Sequence, residues 1–111
     1  MRGPYHFTPE DIDYYVQRAS CGVYVLYPSF ECRAAYVGRS DSNVNRRLKE
    51  QYRDDFYDCR AFRFAYCRSP REAYYEECRL YHHYEKHHVI LNERHPDRPD
   101  YTEYICPECR S

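Results

Sequence analysis

Tryptophan is absent from this 111-residue chain, methionine occurs once and glycine only three times. So little glycine leaves no Gly/Ser-rich linker. With no internal repeat and no low-complexity run either, the chain reads as one modest domain. No apolar stretch approaches the roughly 18 residues that a bilayer crossing needs. The start, Met1-Arg2-Gly3-Pro4-Tyr5, lacks the apolar h-region of a secretory signal, so a cytoplasmic protein is expected. Seven cysteines cannot close into intramolecular disulfides without a remainder. Five are scattered (Cys21, Cys32, Cys59, Cys67 and Cys78), as expected of free thiols in a reducing compartment. Lysine is scarce as well: Lys49 and Lys86 are the only two among 17 basic residues, so 15 are arginine.

What is present is charge and tyrosine. Charged residues make up 32% of the chain and aromatics 18%, with 15 tyrosines. The net charge of −1 hides an uneven layout. Residues 33–71 hold ten basic side chains against five acidic ones, so the middle of the chain is basic while both ends are acidic. A local basic surface on a near-neutral chain can track phosphates, and arginine's planar fork suits phosphate pairing and stacking on tyrosine.

Thr8-Pro9-Glu10-Asp11 caps and opens a helix expected to reach about Ala19. Strands are predicted over 22–27, 34–39 and 61–66 from their β-branched and aromatic content. Asp41-Ser42 is expected to cap a helix over 43–53, and the capping box Ser69-Pro70-Arg71-Glu72 starts a long helix to about Lys86. Pro96 and Pro99 mark an irregular tail. The expectation is an α+β fold: a small three-stranded antiparallel or mixed sheet flanked by helices. It divides into an N-terminal arm and short helix (1–20), a central domain (21–95) and a tail (96–111).

Centring the hairpin loop on residue 30 opposes Gly22 to Gly38, Val23 to Val37 and Tyr24 to Tyr36. Two phenols then stand on one face, flanked by two of the three glycines. Gly22-Val23-Tyr24, eleven residues, then Tyr36-Val37-Gly38 resembles the two half-motifs of the GIY-YIG nuclease family. The likeness continues through Arg39-Ser40, Arg47-Leu48, Glu77 with Leu80, and Asn92.

The resemblance implies hydrolysis of DNA phosphodiesters with one divalent metal, Mg²⁺ or Mn²⁺. It casts Glu77 as the metal ligand, preferred to Glu76 on the spacing to Leu80, and Arg47 as the group that neutralises the transition-state phosphate, preferred to Arg46. Tyr24 and Tyr36 would position and deprotonate water, although an ordinary phenol is scarcely ionised at neutral pH. Asn92 would orient the metal carboxylate or a loop. Either weak sequence specificity or a protein partner that supplies targeting is expected, because the chain leaves no room for a specificity domain. The alternative is a non-catalytic, zinc-stabilised nucleic-acid-binding module of the same fold; tyrosine-rich packing without nucleic acid is a third reading.

Cys106-Pro107-Glu108-Cys109 is half of a zinc site. Cys78 and His82, spaced i,i+4 on the long helix, are the expected partners, with His95 as the substitute ligand. His83 and His87 share that spacing but lack the His-Glu-x-x-His form, so a zincin reading is set aside.

Overall fold

The computed structural model describes residues 1–31, 33–56 and 58–109; Cys32, expected as a free thiol, lies outside the described residues. The elements run β1 (Arg2–His6), α1 (Pro9–Tyr15), β2 (Gly22–Tyr27), β3 (Ala34–Ser40), α2 (Val44–Asp54), β4 (Ala61–Tyr66), α3 (Pro70–His87) and β5 (Val89–Ile90). The fold is α+β, but the sheet has five strands in the order β1-β4-β2-β3-β5, not three. β1 runs antiparallel to β4, and β5 parallel to β3. β5 is two residues long, and β1 contains Gly3 and Pro4, which suit only an edge. No described helix is long and apolar enough to cross a membrane.

The helix starts follow local capping chemistry. Thr8 Oγ1 accepts from Asp11 N–H (3.2 Å) and Ser69 Oγ from Glu72 N–H (3.1 Å). α2 begins one turn residue later than expected: Asn43, not Asp41-Ser42, is the cap, and Asn43 Oδ1 accepts from Arg46 N–H. α1 stops at Tyr15 rather than Ala19. There the Tyr66 hydroxyl accepts from the N–H groups of Gln17 and Arg18, drawing them out of the helical ladder.

Alternation along β2 divides the core between two faces. Tyr24 and Leu26 pack with Phe62 and Phe64 against Ile12, Val16, Val44 and Leu48 of the α1/α2 side. Val23 and Val25 pack toward α3 with Ala73 and Leu80. The β2–β3 register is offset by two residues from the expected one: Tyr24 opposes Gly38, and Tyr36 opposes Leu26. An even offset keeps every side chain on its face, so both phenols remain on the α2 side, now diagonal to each other.

Candidate functional site

β5 pairs only with Ala34 and Ala35, so the rest of the outer edge of β3 is met by the chain that follows. Asn92 completes the pairing with its side chain. Its Oδ1 accepts from Val37 N–H (2.9 Å) and its Nδ2 donates to Val37 C=O (2.8 Å), mimicking one residue of a neighbouring strand. Asn92 therefore fixes β3 between Tyr36 and Gly38; the carboxylate of Glu77 is held by a different group.

Beside this edge lies a cleft of about 640 Å³ that gathers Tyr24, Tyr36, Arg47, Glu77 and Asn92. Each comes from a different part of the chain: β2, β3, α2, α3 and the segment after β5. Glu76 lies outside it, paired with Arg79 at the surface, and Arg46 is exposed on α2 near Ser42.

Tyr24 is 1% exposed. Its ring lies against the backbone of Gly38, where a Cβ would sit 2.4 Å from Tyr24 Cζ. The close approach at this glycine is thus made by the chain's own phenol. Burial holds the Tyr24 hydroxyl well above the usual phenol range, and the positive charge of the nearby Arg47 guanidinium only partly opposes this. Tyr36, half-buried against Phe56 with ring centroids 4.4 Å apart, is raised for the same reason. Gly38→Ala is expected to force Tyr24 away from Arg47 and to cost about 1–3 kcal/mol of stability, since the buried ring has nowhere to retreat. A urea midpoint equal to that of the parent chain would contradict this packing.

Glu77 is 7% exposed, and its Oε1 accepts from Arg39 Nη1 at 2.6 Å. Burial raises its pKa to about 7 despite the attraction of Arg39. Arg39 is a functional residue that the sequence reading left without a role. It also pairs with Asp41 (2.9 Å), donates to Asp97 C=O and lies over the Tyr74 ring. Gln51 was missed altogether. It is buried, donates through Nε2 to Asp55, and leaves Oε1 without a partner among the described residues. Arg47 and Gln51 on α2 and its C-cap Asp55 follow one another at intervals of four and line the cleft as a polar stripe.

A second cluster lies where the tail folds back on α3. His82, His95, Cys106 and Cys109 bring four ligand atoms within 4.8 Å of one another. Cys109 Sγ is 3.3 Å from His82 Nε2 and 3.6 Å from His95 Nε2. A tetrahedral ion with bonds of about 2.0–2.3 Å spaces its ligands about 3.5 Å apart, so the set fits zinc. The outer nitrogens support this. His82 Nδ1 faces the Glu85 carboxylate (3.3 Å) and His95 Nδ1 the Pro96 carbonyl (2.8 Å). Both partners only accept, so Nδ1 carries the proton and Nε2 keeps its lone pair for a metal.

The fourth member of the cluster is thus His95, expected as the substitute ligand, and Cys78 is not among the four. Cys78 is buried with Tyr74 on the core side of Cys106. Burial pushes the Cys106 thiol up, but the backbone N–H groups of Cys109 and Glu108, with His95 and Cys78, bring it down to about 6. Cys109 is raised, chiefly by its hydrogen bond with Cys106.

No protein-family model, curated protein or solved structure matched this chain.

Proposed function

We propose that this protein is a divalent-metal-dependent endonuclease that hydrolyses phosphodiester bonds in DNA, with a structural zinc in its tail. The observation that carries the reading is the convergence of Tyr24, Tyr36, Arg47 and Glu77, from four separate elements, on one open polar cleft. It agrees with the chemistry that the GIY-YIG resemblance implies.

A hard cation fits the residues present. Glu77 is a single buried carboxylate whose ionisation costs solvation, and a cation that keeps most of its waters would offset that cost. Such an ion supplies charge when bound, acidifying water and neutralising a phosphate. The remaining work falls to the chain. Arg47 has no salt bridge among the described residues, so its guanidinium is free to meet charge developing on a phosphate oxygen. Tyr24 lies close enough to Arg47 to feel its charge, so the buried phenol forms part of the wall beside the guanidinium. Burial keeps both phenols protonated at neutral pH, so we assign Tyr36 to orienting the attacking water rather than to taking its proton.

The test is nicking of supercoiled plasmid with Mg²⁺ or Mn²⁺ and with chelator. Arg47→Ala is expected to lower single-turnover cleavage about 10²–10³-fold while DNA affinity changes little. Arg46→Ala, on exposed α2 surface, should leave turnover near that of the parent. Binding without cleavage under every metal condition would select the zinc-stabilised binding module instead. Normal turnover with weakened binding would make Arg47 a phosphate anchor.

A further inference from the structure

The α3 side of the sheet carries a hollow that the nuclease reading does not use. It measures about 240 Å³ and lies between β1, β2 and β4 and the end of α3. Arg63, Tyr27, Tyr84 and His88 supply its polar lining and Pro4, Ala61 and Phe30 its apolar wall; among the described residues no carboxylate lines it.

We propose that this hollow binds a phosphate group, either free inorganic phosphate or a terminal phosphate monoester on a nucleic acid. Four observations converge on that chemistry. Arg39, Arg53, Arg68, Arg79 and Arg94 each pair with a carboxylate, whereas the half-buried Arg63 has no ion pair or hydrogen bond among the described residues. An unpaired guanidinium in a partly enclosed site calls for an anion, and its fork matches two phosphate oxygens.

Tyr27 and Tyr84 meet hydroxyl to hydroxyl at 2.6 Å. The two phenols own two protons and their mutual bond uses one, so the pair has one O–H left to donate. Tyr27 also stays protonated, because burial and the Tyr84 bond raise it.

His88 brings the third donor. Its Nδ1 is buried without a partner among the described residues, a costly state that an anion accepting from Nδ1–H would relieve. Arg33 lies close enough to act electrostatically on His88, adding positive potential without a competing acid. The size agrees: at 240 Å³ the hollow is below the 300–1,000 Å³ typical of pockets for drug-sized ligands, and suits a single small anion.

The experiment titrates the full-length, metal-loaded protein with sodium phosphate against sodium chloride at equal ionic strength, following the His88 ring signals by NMR and heat by calorimetry. Saturable phosphate binding that moves the His88 signals is expected. Arg63→Gln should weaken it about tenfold or more, and Tyr27→Phe by a smaller factor. If Arg63→Gln does not fold, Arg63→Lys keeps the charge without the fork and should give an intermediate loss. Titration with 5′-phosphorylated and 5′-hydroxyl trithymidylate separates the two sources. Tighter binding of the phosphorylated form identifies a nucleic-acid end, and equal weak binding of both identifies free phosphate. The proposal is overturned by absence of saturable phosphate binding. It is equally overturned if Arg47→Ala abolishes the binding while Arg63→Gln leaves it intact, which would place the anion in the cleft. The readout is binding, so it stands or falls separately from DNA cleavage.

Discussion

Replacing Glu77 by glutamine is expected to reduce metal-dependent cleavage about a thousandfold while making the fold relatively more stable as pH rises. Both effects come from one side chain. Glu77 is buried beside Arg39 and has its pKa raised to about 7, against an ordinary value of 4.5. A carboxyl whose pKa is higher in the folded state holds its proton more firmly there than in the unfolded chain. Its contribution to stability is fully present below about pH 4.5 and is lost as pH climbs through 7. The shift corresponds to about 3 kcal/mol at most. Glutamine keeps the shape and can still accept from Arg39, but does not ionise. The difference in urea midpoint between Glu77→Gln and the parent should therefore move in the variant's favour between pH 5 and pH 8. Adding Mg²⁺ or Mn²⁺ should stabilise the parent and not the variant, because only the carboxylate gains from a cation. Loss of cleavage with no pH-dependent change in relative stability would mean that Glu77 is not the buried, proton-holding group described here. Full cleavage by the variant would remove it from the site.

The position of this carboxylate shows where sequence reading succeeds and where it stops. Ser69-Pro70-Arg71-Glu72 starts α3 through local hydrogen bonds, and the heart of β2 is a run of β-branched and aromatic residues. Those signals are contained within a few residues, so the three helices and three long strands were legible. β1 and β5 were not: Gly3 and Pro4 disguise β1, and the β-branched pair Val89–Ile90 is too short to signal a strand until β3 pairs beside it. The hairpin register was misread by two residues because an irregular loop need not sit symmetrically between its strands. The consequence was chemical: Gly38, expected to flank the paired phenols, instead opposes Tyr24 and makes room for its ring. Arg39 escaped a role because its partners are 38 and 58 residues away at Glu77 and Asp97. Gln51 could have been found. Its spacing of four from Arg47 and from Asp55 places all three on one helical face, a pattern visible without coordinates.

Removing the tail's thiols should do more damage than any single change in the core. Cys106→Ser with Cys109→Ser is expected to abolish binding of about one zinc per chain and to lower Tm by roughly 10 °C or more, since metal-binding energy here is folding energy. The cluster ties three distant pieces together: His82 on α3, His95 in the segment after β5, and the Cys106–Cys109 turn. The tied segment is also a wall of the cleft, where His95 and Asp97 stand beside Glu77 and the Asp97 carbonyl accepts from Arg39. Loss of the metal should thus lower cleavage as well, although none of the four ligands has an assigned role in the chemistry. Cys78 supplies the internal control. It is buried against Cys106 but lies outside the four-ligand set. Cys78→Ala should therefore keep its zinc and lose only packing, whereas His95→Ala should lose zinc as the double serine variant does. Elemental analysis and thermal denaturation of the purified proteins decide the matter. Zinc retained by His95→Ala and lost by Cys78→Ala would return the fourth ligand to the helix. A parent chain that carries no zinc, and gains no stability when zinc is added, would leave the cluster without a metal role.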